Sequence, residues 1–248
     1  MIDKNLKELS DLGLHFGHLR SYTHPKSRAY VYTILNGICV INLEKTKERL
    51  KEALAYVRQL AKEDKVILFV GTKRQAREAI VQTAEKIKMP YIHKRFMGGT
   101  LTNFETVLQN TKKLRDLEQK IEEVKDKCSK QAYRQLLRKK ERLAEVLGGL
   151  KDITQLPDAL FVVDTVKERN AIFEARRLGI PIIAIVDTNG DPSKVDYPIP
   201  ANDDSKKGVE FIINQIADAY LEGKKSTAFK QRRQGKARQG KAKESNDA

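Results

Sequence analysis

Residues 159–186 read ALFVVDTVKERNAIFEARRLGIPIIAIV, and their pattern decides the fold. Ala159–Val163 and Pro181–Val186 are unbroken apolar runs of strand length. Strands with that pattern are covered on both faces, as in a parallel sheet. Between them lies an amphipathic segment that ends near Leu178-Gly179, where glycine permits a helix stop. The unit is strand, helix, strand, and a crossover of this kind makes the two strands parallel.

Outward from that unit the alternation continues. Val66–Val70 is another continuous apolar run, and Gly71-Thr72 turns it into a helix over 73–87. Pro90-Tyr91-Ile92 makes a short further strand, and a last helix over about 206–221 follows the turn-rich NDDSKK. Toward the N-terminus, residues 3–13 read as a short amphipathic helix, followed by a polar, basic segment. Then YVYTIL-NG-ICVINL gives two β-rich runs around Asn36-Gly37, a hairpin signal because a type I′ turn needs two positive φ angles. Glu44 to about Lys62 repeats Leu50, Ala53, Leu54, Val57 and Leu60 at helical spacing. The fold class is α/β, with a doubly wound, mostly parallel sheet.

One segment stands outside the sheet. Residues 105–147 contain no glycine or proline. Val107, Leu114, Leu117, Ile121, Val124 and Cys128 recur at heptad steps, and Tyr133, Leu136, Leu143 and Leu147 continue them. The seam falters around Cys128-Ser129-Lys130, which predicts an antiparallel coiled-coil hairpin of two helices, each about 30 Å long. One continuous helix paired with another molecule is the alternative. The domains are then 1–104 with 148–223 as the α/β body, 105–147 as the inserted hairpin, and 224–248 as a basic tail.

Charge is the strongest global signal, 48 Lys+Arg against 33 Asp+Glu for a net of +15. Between Lys224 and Lys243 there are nine basic residues, among them Lys230, Arg232 and Arg233, and no acidic one. Such a tail buries little apolar area and is expected to be disordered when free. A basic tail on a basic body suits a polyanion, through phosphate neutralisation and counterion release. No window has the roughly 18 apolar residues of a membrane span, and the start lacks a targeting pattern. With only Cys39 and Cys128, no disulfide framework is implied. The expectation is a soluble intracellular protein in a reducing compartment.

Catalytic patterns fail one after another. A P-loop needs glycine followed by Lys-Ser/Thr after four residues, whereas TKRQAR follows Gly71. No G-x-G-x-x-G occurs. Lys73 and Arg74 do stand at a helix N-terminus, where amides and dipole favour an anion. Asp164 and Asp187 end strands and read as turn or capping residues. Asp187–Asp191 imitates a calcium loop, but Pro192 and Pro198 replace its glycine and glutamate. His15 and His18 in HFGH would share a helical face, yet Gly17 weakens that helix and no further ligand lies nearby. They read as structural or RNA-facing, with no metal expected. No cofactor and no catalytic group is expected, so the chain is not read as an enzyme.

The remaining motif is His93–Phe104, HKRFMGGTLTNF. Adjacent glycines behind a basic triplet, followed by hydroxyl and amide side chains, let a backbone approach phosphate closely. That phosphate belongs either to a nucleotide or to a nucleic acid.

HFGH, ILNGICVINLEKT, LFVGTKRQAREAI, RFMGGTLTNF, GGLKDITQLPDALFVVD and GIPIIAIVDTNGDPSKVDYPIPANDD occur in this order. Together they closely resemble the small-subunit ribosomal protein S2 family, bacterial or organellar, from about residue 8 to residue 220. The resemblance implies a Rossmann-like α/β domain with a protruding helical hairpin and no enzymatic activity. It implies a structural role in translation, in contact with small-subunit ribosomal RNA. It also implies contact with neighbouring small-subunit proteins, including the multi-OB-fold protein S-one. Membrane and small-molecule partners are not expected. The location would be the cytoplasm of a bacterium, or an organelle, within the small ribosomal subunit.

On that basis Lys94 and Arg95 are expected to neutralise RNA phosphates, Gly98 and Gly99 to allow close approach, and Thr100, Thr102 and Asn103 to donate hydrogen bonds. Arg20, Lys26, Arg28, Lys73 and Arg74 are further candidates, with Lys230, Arg232 and Arg233 on the tail. Phe96, Met97 and Phe104 are expected to anchor the loop on the core. The sequence departs from the family at Phe96, where Trp is usual, and at His24 before Pro25-Lys26, where Asn is common.

Overall fold

The computed structural model describes the backbone of residues 5–124 and 129–244, and side chains as far as Ser226. Helix α1 (Leu6–Asp11) leads into β1 (Phe16–Leu19), then two short 3-10 turns. Strands β2 (Val31–Leu35) and β3 (Ile38–Ile41) pair antiparallel around Asn36 and Gly37, whose φ angles of 50° and 80° are those of the expected turn. Strand β1 joins the other edge of β3, giving a three-stranded sheet in the order β1-β3-β2. The polar N-terminal reading missed β1, because FGHL offers too little alternation to stand out as a strand.

Helix α2 (Leu43–Lys62) begins where the Asn42 side chain accepts from the amides of Glu44 and Lys45 at 2.9 and 3.3 Å. Next come β4 (Ile67–Val70), α3 (Arg74–Ile87) and β5 (Tyr91–Ile92). Helices α4 (Phe104–Val124) and α5 (Lys130–Leu147) follow, then β6 (Ala159–Val163), α6 (Arg169–Arg177), β7 (Ile182–Val186), β8 (Tyr197–Pro200) and α7 (Lys206–Glu244). The main sheet has the order β5-β4-β6-β7-β8, and every pairing in it is parallel.

Alternation along the strands divides the core in two. Ile67, Phe69, Phe161, Val163, Ile183 and Ile185 point into a cluster completed by α2, α3 and α7. Leu68, Val70, Leu160, Val162, Ile182 and Ala184 point the other way, toward α4, the end of α5, and α6. The continuous apolar runs are explained by this double covering. Strand β8 escaped the sequence reading because it carries Pro198 and Pro200. At the sheet edge a strand tolerates proline, since its outer side has no ladder to join.

Two expectations change. On α4, Val107, Leu114, Leu117 and Ile121 are buried, but on α5 only Leu147 is, while Tyr133, Leu136 and Leu143 are half-exposed. The two helices pack together with an uneven seam, and Cys128 lies outside the described residues. The last helix runs on to Glu244, where a break near 221 and a disordered tail over 224–248 were expected. Lys, Arg, Gln and Ala are good helix formers and no proline interrupts them, so local propensity favours the helix continuing.

Candidate nucleic-acid interface

Open α/β sheets bind ligands at the carboxyl ends of their strands. Here that crevice is closed by the chain itself. The Thr72 amide and hydroxyl donate to Glu168 Oε1 at 3.1 and 2.5 Å. Glu168 therefore takes the place of an anion at the α3 N-terminus, and burial pushes its carboxyl up despite the bonds from Thr72. Lys73 Nζ lies 2.6 Å from both Asp203 and Asp204, and 3.7 Å from Asp164. Burial alone would lower the Lys73 ammonium, but Asp203, Asp204 and Asp164 outweigh it and raise it.

Asp203 is pushed up to about 7, first by burial and then by Asp187 and Asp164. Asp164 accepts from the amides of Val166 and Lys167 at 2.9 and 3.0 Å, and Asp187 accepts from Thr188 at 2.5 Å, so both work as turn residues. Lys73, expected from the sequence to meet phosphate, is held in this structure by the chain's own carboxylates. An incoming phosphate would face two buried carboxylates, Asp164 and Asp203, and the exposed Asp204 around the one ammonium that they hold.

His15 and His18 lie around β1, not on a helix. A Cβ on Gly17 would sit 2.6 Å from Thr188 Cγ2 and 2.9 Å from the Cys39 carbonyl, so only glycine lets this strand cross so closely. His15 Nδ1 is 3.2 Å from Ser10 Oγ, away from His18. His18 Nδ1 lies 3.2 Å from Asp187, a contact that raises its pKa despite burial. The two histidines thus form no pair. His18, Asp203 and Asp204 instead present ligand atoms within 4.8 Å of one another, a set able to hold a divalent cation.

The glycine loop is closed in the same way. Glu174, buried on α6, accepts from the Gly99 amide at 2.6 Å and the Leu101 amide at 2.9 Å. It also accepts from the Thr102 amide and hydroxyl at 3.1 and 3.2 Å. Thr100 is buried and donates to the Met97 carbonyl at 2.6 Å, while Asn103 Oδ1 accepts from Thr106 at 2.9 Å. The hydroxyls of Thr100 and Thr102, expected as phosphate donors, and the amide of Gly99, expected to allow close approach, are therefore engaged inside the protein. Phe96 is buried and Phe104 packs on the same cluster, as an anchor should, but Met97 is exposed. Gly98, Lys94 and Arg95 face outward; Lys94 is 2.8 Å from Glu145, and Arg95 has no partner among the described residues.

The other basic candidates divide likewise. Lys26 donates to Ser193 Oγ at 2.6 Å and lies 3.7 Å from Asp191. Arg20 and Arg28 are exposed and line one shallow depression of about 640 Å³. Arg74 is exposed at the start of α3. Lys230, Arg232 and Arg233 fall on the α7 extension, where side chains are not described. Beside Arg20 and Arg28, the small sheet leaves Phe16, Tyr32 and Leu35, and the 3-10 turn after β1 leaves Tyr22, half or more exposed. The two glutamates that organise the crevice and the loop were missed in the sequence. Their signal is that Glu168 and Glu174 fall on the apolar stripe of α6 with Ala171, Ile172 and Ala175.

Such a molecule is an α/β protein with a parallel five-stranded sheet, a layout consistent with the Rossmann-like class. Its strand-end crevice is filled by its own side chains, and the cations unpaired among the described residues lie outside. No helix among the described residues is long and apolar enough to cross a membrane. Residues 9–223 match the family model for Ribosomal protein S2, and the chain belongs to that family. It is similar to the small ribosomal subunit protein uS2 of Coprothermobacter proteolyticus, 47% identical over 224 residues, which cover 88% of this chain and 82% of the relative.

Proposed function

We propose that the chain is a structural constituent of the small ribosomal subunit that binds its ribosomal RNA and helps dock neighbouring ribosomal proteins. The observation that carries this is the family match over residues 9–223, joined to a relative named as a small-subunit protein. The unpaired cations Arg20, Arg28, Arg74 and Arg95 support phosphate contact, with Gly98 and Asn103 exposed beside Arg95. Lys94 joins them by exchanging the exposed Glu145 for phosphate, and the exposed ammonium of Lys26 by leaving the half-buried Asp191. Lys230, Arg232 and Arg233 add sequence-independent affinity. The exposed Phe16, Tyr22 and Tyr32 suit a protein neighbour, since aromatic residues are enriched in the anchored centres of interfaces. The multi-OB-fold protein S-one is the neighbour we assign to this face. The setting is the cytoplasm of a bacterium or the interior of an organelle.

An enzyme or carrier for a phosphorylated small molecule is the competing reading. Against it stand Glu168 and the Lys73–Asp203 pair, which occupy the crevice such a ligand needs. Sedimentation of native protein through a gradient at low and high salt tests the proposal. Co-migration with small subunits, lost on RNA digestion, is the expected result. A chain that stays at the top in both salts contradicts it.

A further inference from the structure

Helix α6 has a second face. Its inner side supplies Glu168 and Glu174, which are 3% and 6% exposed and hold the 71–72 turn and the 99–102 loop. Its outer side carries Phe173, 67% exposed, with Arg169 four residues before it and Arg177 four residues after. Residues at that spacing lie on one helical face, so the two guanidinium groups flank the ring about 6 Å along the axis in each direction. Arg169 and Arg177 have no hydrogen-bond or ion-pair partner among the described residues, and Arg176 bonds only the Ser193 carbonyl, at 3.3 Å. Every exposed residue from 166 to 179 is basic or uncharged, because the segment's two acidic residues are the two that point inward.

An exposed Phe has no structural reason to stand there. The main-sheet face of α6 is already filled by Ala171, Ile172 and Ala175, and truncating Phe173 would empty no core. A protein partner could bury the ring, but it would have to set carboxylates around it for three arginines, whereas a polyanion carries that charge at every nucleotide. A looped or single-stranded RNA matches both features at once. Its phosphates take the guanidinium groups, and an unstacked base takes the π-face of the ring.

We infer that the outer face of α6 is an RNA contact, with Phe173 a stacking platform for one unpaired base and Arg169, Arg176 and Arg177 on the flanking phosphates. This rests on the ribosomal-RNA reading proposed above, and adds to it a site away from the glycine loop. The buried glutamates give the site its rigidity. The same short helix is pinned from beneath by four loop donors on Glu174 and two on Glu168.

The test measures affinity of the full chain for small subunits depleted of this protein, and for naked small-subunit RNA, across a salt series. Phe173→Ala should weaken binding about tenfold with an unchanged salt slope, and Phe173→Leu, which keeps apolar area, should not restore it. Arg169→Ala with Arg177→Ala should reduce the slope by about 1.4–1.8. A photoreactive phenylalanine analogue at position 173 should crosslink to a nucleotide. If the wild-type chain binds and these variants match it, the α6 inference alone falls. If the crosslink lands on protein, or Leu restores affinity, the face docks a protein and the inference is overturned. If the wild-type chain binds neither target, the RNA reading itself fails, and this site with it.

Discussion

Lys73 and Arg95 each stand beside a glycine turn that follows a strand, and each looks like a phosphate-binding residue in the sequence. Their fates differ. Lys73 lies among Asp164, Asp203 and Asp204 with its side chain 15% exposed, while Arg95 projects from its loop with no partner among the described residues. The crevice and the loop were built by the same device, a buried glutamate of α6 accepting the amides that a phosphate would have taken. The difference lies in what remains outside. Glycine-rich turns beside cations identify places where a backbone meets an anion. They do not reveal whether that anion is a ligand or the chain's own carboxylate.

This comparison can be broken most forcefully at Glu174. Glu174→Ala strands four donors around an emptied buried site, and should cost about 3–5 kcal/mol in denaturant unfolding. Glu174→Gln keeps an acceptor and should cost less. In hydrogen exchange the amides of Gly99, Leu101 and Thr102 should lose protection together. Unchanged stability would mean that the loop holds itself.

Next in size is Lys73→Met, which leaves Asp203 and Asp164 near each other without their cation. We expect about 3 kcal/mol of destabilisation at pH 8. Arg74→Met, one residue on but exposed, should stay within about 0.5 kcal/mol. Equal effects would erase the distinction between buried and free cations.

The third effect is pH dependence, measured with a chelator present. Asp203, raised to about 7, binds its proton more tightly in the folded chain than in the unfolded one. Its contribution to stability is therefore full below the usual carboxylate range near 4 and is lost as pH rises through about 7. His18, raised above 6.5 by Asp187, works in the same direction. Stability should fall by roughly 4 kcal/mol between pH 4 and 8, apart from contributions of other groups. Asp203→Asn should flatten that fall.

The main sheet was legible because its strands are buried on both faces, which leaves runs such as Leu160–Val163 with no polar residue. The hairpin was legible because Asn36-Gly37 is a local signal. What escaped was long-range or at an edge. Glu168 meets Thr72 across 96 residues, and Glu174 meets Leu101 across 73, so neither pairing has a local signature. Strand β8 was hidden by prolines that only an edge permits. The extension of α7 past residue 221 was not legible, because the segment's low apolar content gives no helical periodicity to read. Among the site candidates, exposure could not be separated from internal pairing, which is why Lys73, Gly99, Thr100 and Thr102 were grouped with Arg95.

The most direct measurement is the salt dependence of ribosomal-RNA affinity for two variants side by side. Arg95→Ala should lower the slope by about 0.7–0.9, as expected for one lost phosphate contact. The double variant Lys73→Met with Asp203→Asn removes an internal pair without leaving a buried charge from it, and its slope should equal that of the wild type. A slope lost in the Lys73 variant and kept in the Arg95 variant would contradict the account.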